Sequence, residues 1–341
     1  MGGVNSSWYS ASFIASIAFS AVPLFFMITG YLMLNSEKSE DTSYLKHHIS
    51  RMGIPLFFWS LLYIIADMIS KKNLNIKNIV MGVLNIFKEP ADEALWYIYV
   101  MIALYLISPI LYNGLKCLNR KSHILLFSLI MIYLLFDILK VVIPLPYGNY
   151  FDFYIFNVLK IFRGHIVAIL LGYYLGKNEK KVSNILLSVI ACFALGIIVI
   201  GTFSLSKTSN SYITTFQNQS GGLEIILAAC LFMLAKQNLN KDSRKFGSII
   251  KQVAKLSLTI YLSHITFIGV FSFIGINPTS TFGIILESLL IVLCCFVLAK
   301  SAASIKWSCY MVNGISFKEA CETVNWQYTI RKFKELINYK E

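Results

Sequence analysis

The sequence predicts an all-α protein, a polytopic transmembrane helix bundle of about nine spans. Three observations carry this. Apolar runs of roughly twenty residues recur along the chain, and a helix rising about 1.5 Å per residue needs that many to cross the hydrocarbon core. Hydrophobic residues make up 57% of the chain, charged ones 14%, and the mean hydropathy is +0.66, far from an ordinary soluble domain. The loops between the runs alternate between rich and nearly empty in Lys and Arg. Lipid offers no partner to a free backbone N–H or C=O, so each run must be helical. A barrel is excluded by pattern: barrel strands alternate apolar and polar residues over about ten positions, and these runs do not.

The spans fall near 11–34, 53–70, 95–115, 123–142, 154–176, 183–205, 220–236, 254–274 and 280–304. The chain enters the first through Trp8 and Tyr9, residues suited to a membrane interface. The second follows a basic cluster and holds Pro55 in its first turn, where a missing N–H is harmless. Segment 71–94 carries Lys71, Lys72, Lys77 and Lys88, yet Ile76, Ile79, Val80, Val83 and Phe87 recur at helical spacing, which predicts a helix lying in the interface. Trp96 opens the third span at the interface, and Pro109 lies near its other end. After the ninth span, Trp326, Ile330, Phe333 and Ile337 share one helical face among Lys and Arg, so the division expected is a membrane domain, 1–304, and a basic amphipathic tail, 305–341.

Loop charge sets the sidedness. Lys38, Lys46 and Arg51, then Lys116, Arg120 and Lys121, then Lys177, Lys180 and Lys181, then Lys236 to Lys255 mark one side, with the C-terminal segment. The N-terminal segment and the loops 143–153 and 275–280 have no Lys or Arg, and 206–219 has Lys207 alone. Basic loops stay cytoplasmic, which places the C-terminus inside a cell membrane and the N-terminus outside. The same distribution accounts for the net charge of +13, since anionic lipids line the cytoplasmic leaflet; charges spread over separate loops do not suit nucleic acid. An odd number of spans with an outer N-terminus leads us to expect a further helix upstream. The seven cysteines show no disulfide or zinc spacing, so no metal is expected. Phosphate-loop and nucleotide-fold glycine patterns are absent, as is G-x-S-x-G.

Ionisable groups inside spans are functional suspects, because each must face a bundle interior or a wet cavity. They are Arg163, His165, Glu224, His264 and Glu287, with Asp67 and Asp137 near span ends and Arg51 at the basic entrance of the second span. Each also has a structural reading, as an interfacial group or an interhelical hydrogen bond. Arg163 and His165 are two apart and cannot both face one small site. A mid-membrane His titrating near neutrality suits proton transfer, which singles out His264.

Five segments in order, AVPLFFMITGYLML (21–34), YLKHHISRMGIPLFFWSLLY (44–63), ALWYIYVMIALYLISPIL (94–111), ILLGYYLGK (169–177) and LSLTIYLSH (256–264), resemble the acyltransferase-3 family of bacterial membrane acyltransferases. The resemblance covers roughly residues 11–300. It implies a bundle of about ten spans that moves an acyl group, usually acetyl, from cytoplasmic acyl-CoA to a hydroxyl of a cell-surface glycan or similar acceptor. Acyl-CoA would be a co-substrate, with no bound cofactor. The family's catalytic His lies on its first span; none of the five histidines here matches it, and the helix expected upstream is the one that would carry it. An inactive chain is one consequence of that absence. The family has paired arginines three apart at the cytoplasmic mouth. Here Arg51 matches the second and His48 stands at the first, so Arg51, with His48 and Lys46, is the expected grip on the CoA phosphates. Ala94 stands where the family often has a His, and His264 keeps the late His of the IYLSH-like segment. His264 is the catalytic candidate, and Arg163, Glu224 and Trp96 are candidates for acceptor binding. The rival reading is an exporter or flippase of a polysaccharide or lipid-linked intermediate, for which an internal inverted repeat would argue; the sequence shows none. A sensor or scaffold is the third.

Overall fold

A computed structural model of the chain describes residues 6–37, 41–143, 147–151, 164–239, 244–278 and 280–331. Its α-helices are α1 (Ser6–Phe19), α2 (Ala21–Leu34), α3 (Thr42–Ser70), α4 (Ile76–Asn85), α5 (Trp96–Cys117), α6 (Arg120–Val142), α7 (His165–Lys177), α8 (Asn184–Ser209), α9 (Gly222–Asn238), α10 (Arg244–Phe273), α11 (Thr281–Ala303), α12 (Lys306–Asn313) and α13 (Phe317–Thr323). No strand occurs among the described residues. Among the described residues, seven stretches are long and apolar enough to cross a membrane: Trp8–Leu34, Thr42–Ser70, Glu93–Cys117, Arg120–Val142, Asn184–Ser209, Ile250–Phe273 and Thr281–Ala303. The shorter α7 and α9, of 13 and 17 residues, stand where the fifth and seventh spans are expected. The chain is a multi-pass membrane protein.

Two helix boundaries differ from expectation, each for a local reason. The first span is broken at Ser20, because Pro23 has no N–H to offer the Phe19 carbonyl. The helix expected over 53–70 begins eleven residues earlier, where Asp41 accepts from the Ser43 N–H at 2.8 Å and starts it at Thr42. Pro55 therefore lies inside α3 and not in its first turn, and it has no N–H for the carbonyl of Arg51.

The chain forms two compact units. The first holds Met1–Ser39 and Ser108–Asn240. Its central contact is α2 against α7, with backbones touching. A Cβ on Gly30 would strike the Ile169 backbone, one on Gly172 the Met27 backbone, and one on Gly176 the Tyr31 ring. Gly172 and Gly176 have the small-xxx-small spacing that lets membrane helices approach closely. Phe26, Met27, Val167 and Ile169 are fully buried around the crossing. Lys236 of α9 completes the end of α7, donating to the carbonyls of Leu175 at 3.0 Å, Gly176 at 2.5 Å and Asn178 at 2.7 Å, groups a helix terminus leaves unpaired. The connection from α8 to α9, which carries no charged residue, folds inward. Gln217 is buried and donates to the Ser12 carbonyl at 2.9 Å and to Ser16 Oγ at 2.8 Å, and it accepts from the Tyr212 hydroxyl.

The second unit holds Glu40–Ile107 and Lys241–Glu341. Helix α4 bears out the helix expected between the second and third spans. Gly82 sits against Ile64, the Ile86 carbonyl accepts from Tyr99 Oη at 2.6 Å, and Ile76 and Phe87 present an exposed apolar surface. The stretch after Ala303, set apart in sequence as a tail, folds back as α12 and α13 onto α3, α10 and α11. Val312, Asn313, Ile315, Ala320 and Val324 are buried there. Asn313 Nδ2 donates to the Ala299 carbonyl at 3.0 Å, Thr259 Oγ1 lies 2.5 Å from Asn313 Oδ1, and Trp59 Nε1 donates to the Val312 carbonyl at 3.4 Å. Gly314, at φ +65°, ends α12 and seats its backbone against the Arg51 carbonyl, the one Pro55 leaves without its helical partner. Of the apolar face expected near the C-terminus, Trp326 and Ile330 are exposed; Phe333 and Ile337 lie outside the described residues.

Gly30→Ala and Gly172→Ala should each destabilise the fold by about 1–3 kcal/mol or more, because backbone cannot yield as a side-chain tip does. Gly196→Ala, with nothing within 4 Å of its added Cβ, should be neutral or stabilising. Thermal unfolding of the detergent-solubilised protein checks the contrast.

Candidate functional site

Of the residues expected at the site, His264, Arg51, His48, Lys46 and Trp96 belong to the second unit and Glu224 to the first. Arg163 lies outside the described residues.

His264 is half-buried in α10. Its Nδ1 pairs with the carbonyl of Tyr261, one turn back. A carbonyl only accepts, so the neutral imidazole would carry its proton on Nδ1 and its lone pair on Nε2, the tautomer of a general base. Nε2 has no hydrogen-bond partner among the described residues. The surroundings are phenolic. The Tyr261 ring lies 5.6 Å from the imidazole, and Tyr97 of α5 meets Tyr261 at 5.4 Å and 61°. Tyr63 of α3 donates to the Leu262 carbonyl at 2.6 Å and takes a hydrogen bond from Thr266 at 3.3 Å, which ties α3 to the turn bearing His264. Asp92 lies within electrostatic reach of Tyr63 and Tyr261 and caps the short 3-10 turn before α5, accepting from Ala94 N–H at 2.9 Å. Trp96, half-buried, stands next, edge-on to Tyr97 at 6.1 Å. The tyrosines were not singled out in sequence. The signal was there, since Tyr261 and His264 are three apart on one helix face, and Tyr97 follows Trp96.

The basic end of α3 is organised differently from the simple cationic grip expected. His48 lies flat on Tyr105, 4.9 Å between ring centroids and 9° from parallel, and Tyr44 packs against it at 4.2 Å. Its ring serves packing, so the charge there comes from elsewhere. Lys46 is exposed, and being five residues from Arg51 it points about 140° away around the helix. Arg51 is half-buried, with Ser50 Oγ beside it 3.2 Å from the Tyr310 hydroxyl of α12. Two further charged residues join this end: Lys255 of α10 donates to Glu319 Oε1 of α13 at 2.8 Å. Burial pushes the Glu319 carboxyl up, but the Lys255 hydrogen bond and the charges of Arg51, Lys255 and His47 outweigh it and hold its pKa below the usual carboxylate value.

In the first unit Glu224 is fully buried in the first turn of α9, and neither carboxylate oxygen has a hydrogen-bond partner among the described residues. His165 packs its ring on Phe26 at 4.6 Å. Asp137 accepts from the Gly222 N–H at 2.7 Å, a structural role at the start of α9. In the second unit Asp67 is exposed and pairs with Lys71 at 2.8 Å, as an interfacial residue does.

Comparison with known protein families gives one match: the acyltransferase-3 model, described as an acyltransferase domain, over residues 2–300. No curated protein and no solved structure matches the chain.

The Lys255–Glu319 pair carries a pH signature. A carboxyl whose folded pKa is depressed stabilises the fold above its unfolded value of 4.5 and loses that contribution as pH falls through the folded value. Glu319→Gln should lower stability by about 1 kcal/mol or less at pH 7, as suits a partly exposed pair. The gap between variant and parent should close below the folded pKa, read as converging melting temperatures.

Proposed function

The chain belongs to the acyltransferase-3 family, and from that premise we propose that it transfers an acyl group, acetyl by family resemblance, from cytoplasmic acyl-CoA to a hydroxyl of a surface glycan or similar acceptor at the cell membrane. The observation that carries this reading is His264, whose imidazole is held by the Tyr261 carbonyl with Nε2 as acceptor. A thioester is already activated. The protein must take a proton from the attacking hydroxyl and steady the negative charge that develops on the thioester's carbonyl oxygen. His264 Nε2 would accept that proton as the C–O bond forms and return it to the coenzyme A sulfur as the C–S bond breaks, so that coenzyme A leaves as the thiol. The hydroxyl of Tyr261 would be free to donate toward developing negative charge, that of Tyr63 being committed to the Leu262 carbonyl, and Trp96 and Tyr97 offer flat apolar faces to an acceptor's ring.

Arg51 would hold the donor. A guanidinium binds phosphate with two parallel hydrogen bonds. Twelve residues along α3, a rise of about 18 Å, separate Arg51 from Tyr63, so the donor's flexible arm and not its phosphates would reach the His264 neighbourhood. Basic loops on the Arg51 side support a cytoplasmic position for that end and for the C-terminus, on the side where acyl-CoA is.

Export of a glycan or lipid-linked intermediate is the second reading, and Glu224 favours it. A buried acid without partners among the described residues is a group that proton-coupled transport uses. The two readings part on acyl-CoA dependence.

Membranes containing the chain should pass label from [14C]acetyl-CoA to an envelope fraction. His264→Ala should lower kcat by about 10²–10⁴ with the KM for acetyl-CoA little changed. Arg51→Ala should raise that KM about tenfold, and Arg51→Lys less, because Lys keeps the charge and loses the fork. Label transfer unaffected by His264→Ala at equal protein level removes His264 from the site. Export without any acyl-CoA requirement favours the second reading.

A further inference from the structure

The family match ends at residue 300, and the chain then adds α12 and α13, which fold back on the second unit. That addition carries an acid to the cationic end of α3. Gly314 seats on the Arg51 backbone, Tyr310 lies beside Ser50, and Glu319 takes a 2.8 Å hydrogen bond from Lys255. Arg51 and His47 both act on the same carboxylate.

The local sequence gives Glu319 a second place to go. Ser316-Phe317-Lys318-Glu319 has the S-x-x-E spacing of a capping box, in which the N3 acid bonds back to the N–H of the capping residue. Half of that box is formed: Ser316 Oγ accepts from the Glu319 N–H at 3.2 Å. The other half is not: among the described residues the Ser316 N–H makes no hydrogen bond to the Glu319 carboxylate, whose Oε1 is turned to Lys255 on another helix. A carboxylate that leaves Lys255 therefore has the Ser316 N–H one turn away as a hydrogen-bond donor.

We propose that Glu319 is an internal competitor for the anion-binding groups at this end of the second unit, Arg51 and Lys255, and that a donor phosphate binds by displacing it. The proposal adds Lys255 to the donor site and makes α13 a brake on donor affinity. It rests on the reading of Arg51 as a phosphate-binding residue. The chemistry recognised is a phosphate monoester or diester, which coenzyme A and an anionic lipid headgroup share.

The test measures coenzyme A binding to the full chain in phosphatidylcholine nanodiscs. Glu319→Gln keeps a capping-box acceptor and removes the charge. It should bind coenzyme A about five- to tenfold more tightly than the parent, while Lys255→Met should bind more weakly than the parent. Equal or weaker binding by Glu319→Gln overturns the proposal. A second measurement needs no variant: coenzyme A should slow hydrogen exchange at the Ser316 amide as the capping box closes, and unchanged exchange on saturation with coenzyme A overturns the displacement. If the parent and Glu319→Gln both fail to bind coenzyme A, the Arg51 reading itself fails and takes the proposal with it. If both bind equally and Arg51→Ala does not bind, the Arg51 reading stands and the competitor alone is lost. Tighter retention of phosphatidylglycerol by Glu319→Gln, without any gain for coenzyme A, assigns the phosphate to lipid and overturns the donor role.

Discussion

Hydrocarbon offers a polar group no partner but the protein itself, and the organisation of this chain follows from that constraint. It makes every span a helix. It also explains why helix ends and breaks are attended so closely. Lys236 gathers the last carbonyls of α7, and Gln217 folds inward to meet the Ser12 carbonyl and the Ser16 hydroxyl of α1. The Arg51 carbonyl, deprived of a helical partner by Pro55, is covered by the backbone of Gly314. Without a hydrophobic drive between helices in lipid, close packing must hold them together. The Gly30 and Gly172 contacts supply that packing in the first unit by bringing backbones within touching distance, and Gly176 admits the Tyr31 ring.

The features read correctly from sequence are those set by composition over a long window. Helical spans and the amphipathic α4 are properties of ten to thirty consecutive residues; among the described residues seven spans and α4 are present, with the shorter α7 and α9 where two more are expected. The features misread depend on a single residue or a distant partner. The start of α3 was hidden because polar residues before a span look like loop, whereas Asp41 caps them into helix. The fold-back of α12 and α13 depends on Asn313 and Gly314 finding Ala299 and Arg51, contacts far apart in sequence. At the candidate site, His264 was legible because an imidazole in mid-span has few structural excuses. Its tautomer was not, since that rests on one carbonyl. The charge at the Arg51 end was assigned to the neighbours in sequence, His48 and Lys46. One is packed between tyrosines and the other points away, and the groups that approach, Lys255 and Glu319, come from other helices.

Stability and binding pull against each other at this end of the second unit. An ion pair that is one-third exposed adds little to the fold, so the Lys255–Glu319 bond is a weak reason to keep an acid beside a would-be phosphate site. The appended helices already have a sufficient anchor in Val312, Ile315, Ala320 and Val324, all buried. A fold that needs only attachment could place any polar residue at position 319. An acid with a second hydrogen-bonding home one turn away is better suited to being moved than to holding on.

Two ionisable groups inside the helices, His264 and Glu224, could in principle serve the proposed reaction as base, and their surroundings separate them. Glu224 is fully enclosed, with no donor among the described residues to hold its carboxylate in one orientation. A base must present its lone pair at a fixed position within hydrogen-bond reach of the attacking hydroxyl. His264 meets that demand better: the Tyr261 carbonyl fixes which nitrogen is free, Tyr63 braces the adjacent turn, and the ring remains half-exposed. An imidazole so placed changes its charge when it takes up a proton, and the acid formed is still bonded through Nδ1 to a carbonyl dipole that welcomes positive charge. In the proposed reaction the same hydrogen bond would orient the base before proton transfer and stabilise the imidazolium after it, which is why the proposal rests on His264 and leaves Glu224 to the transport reading.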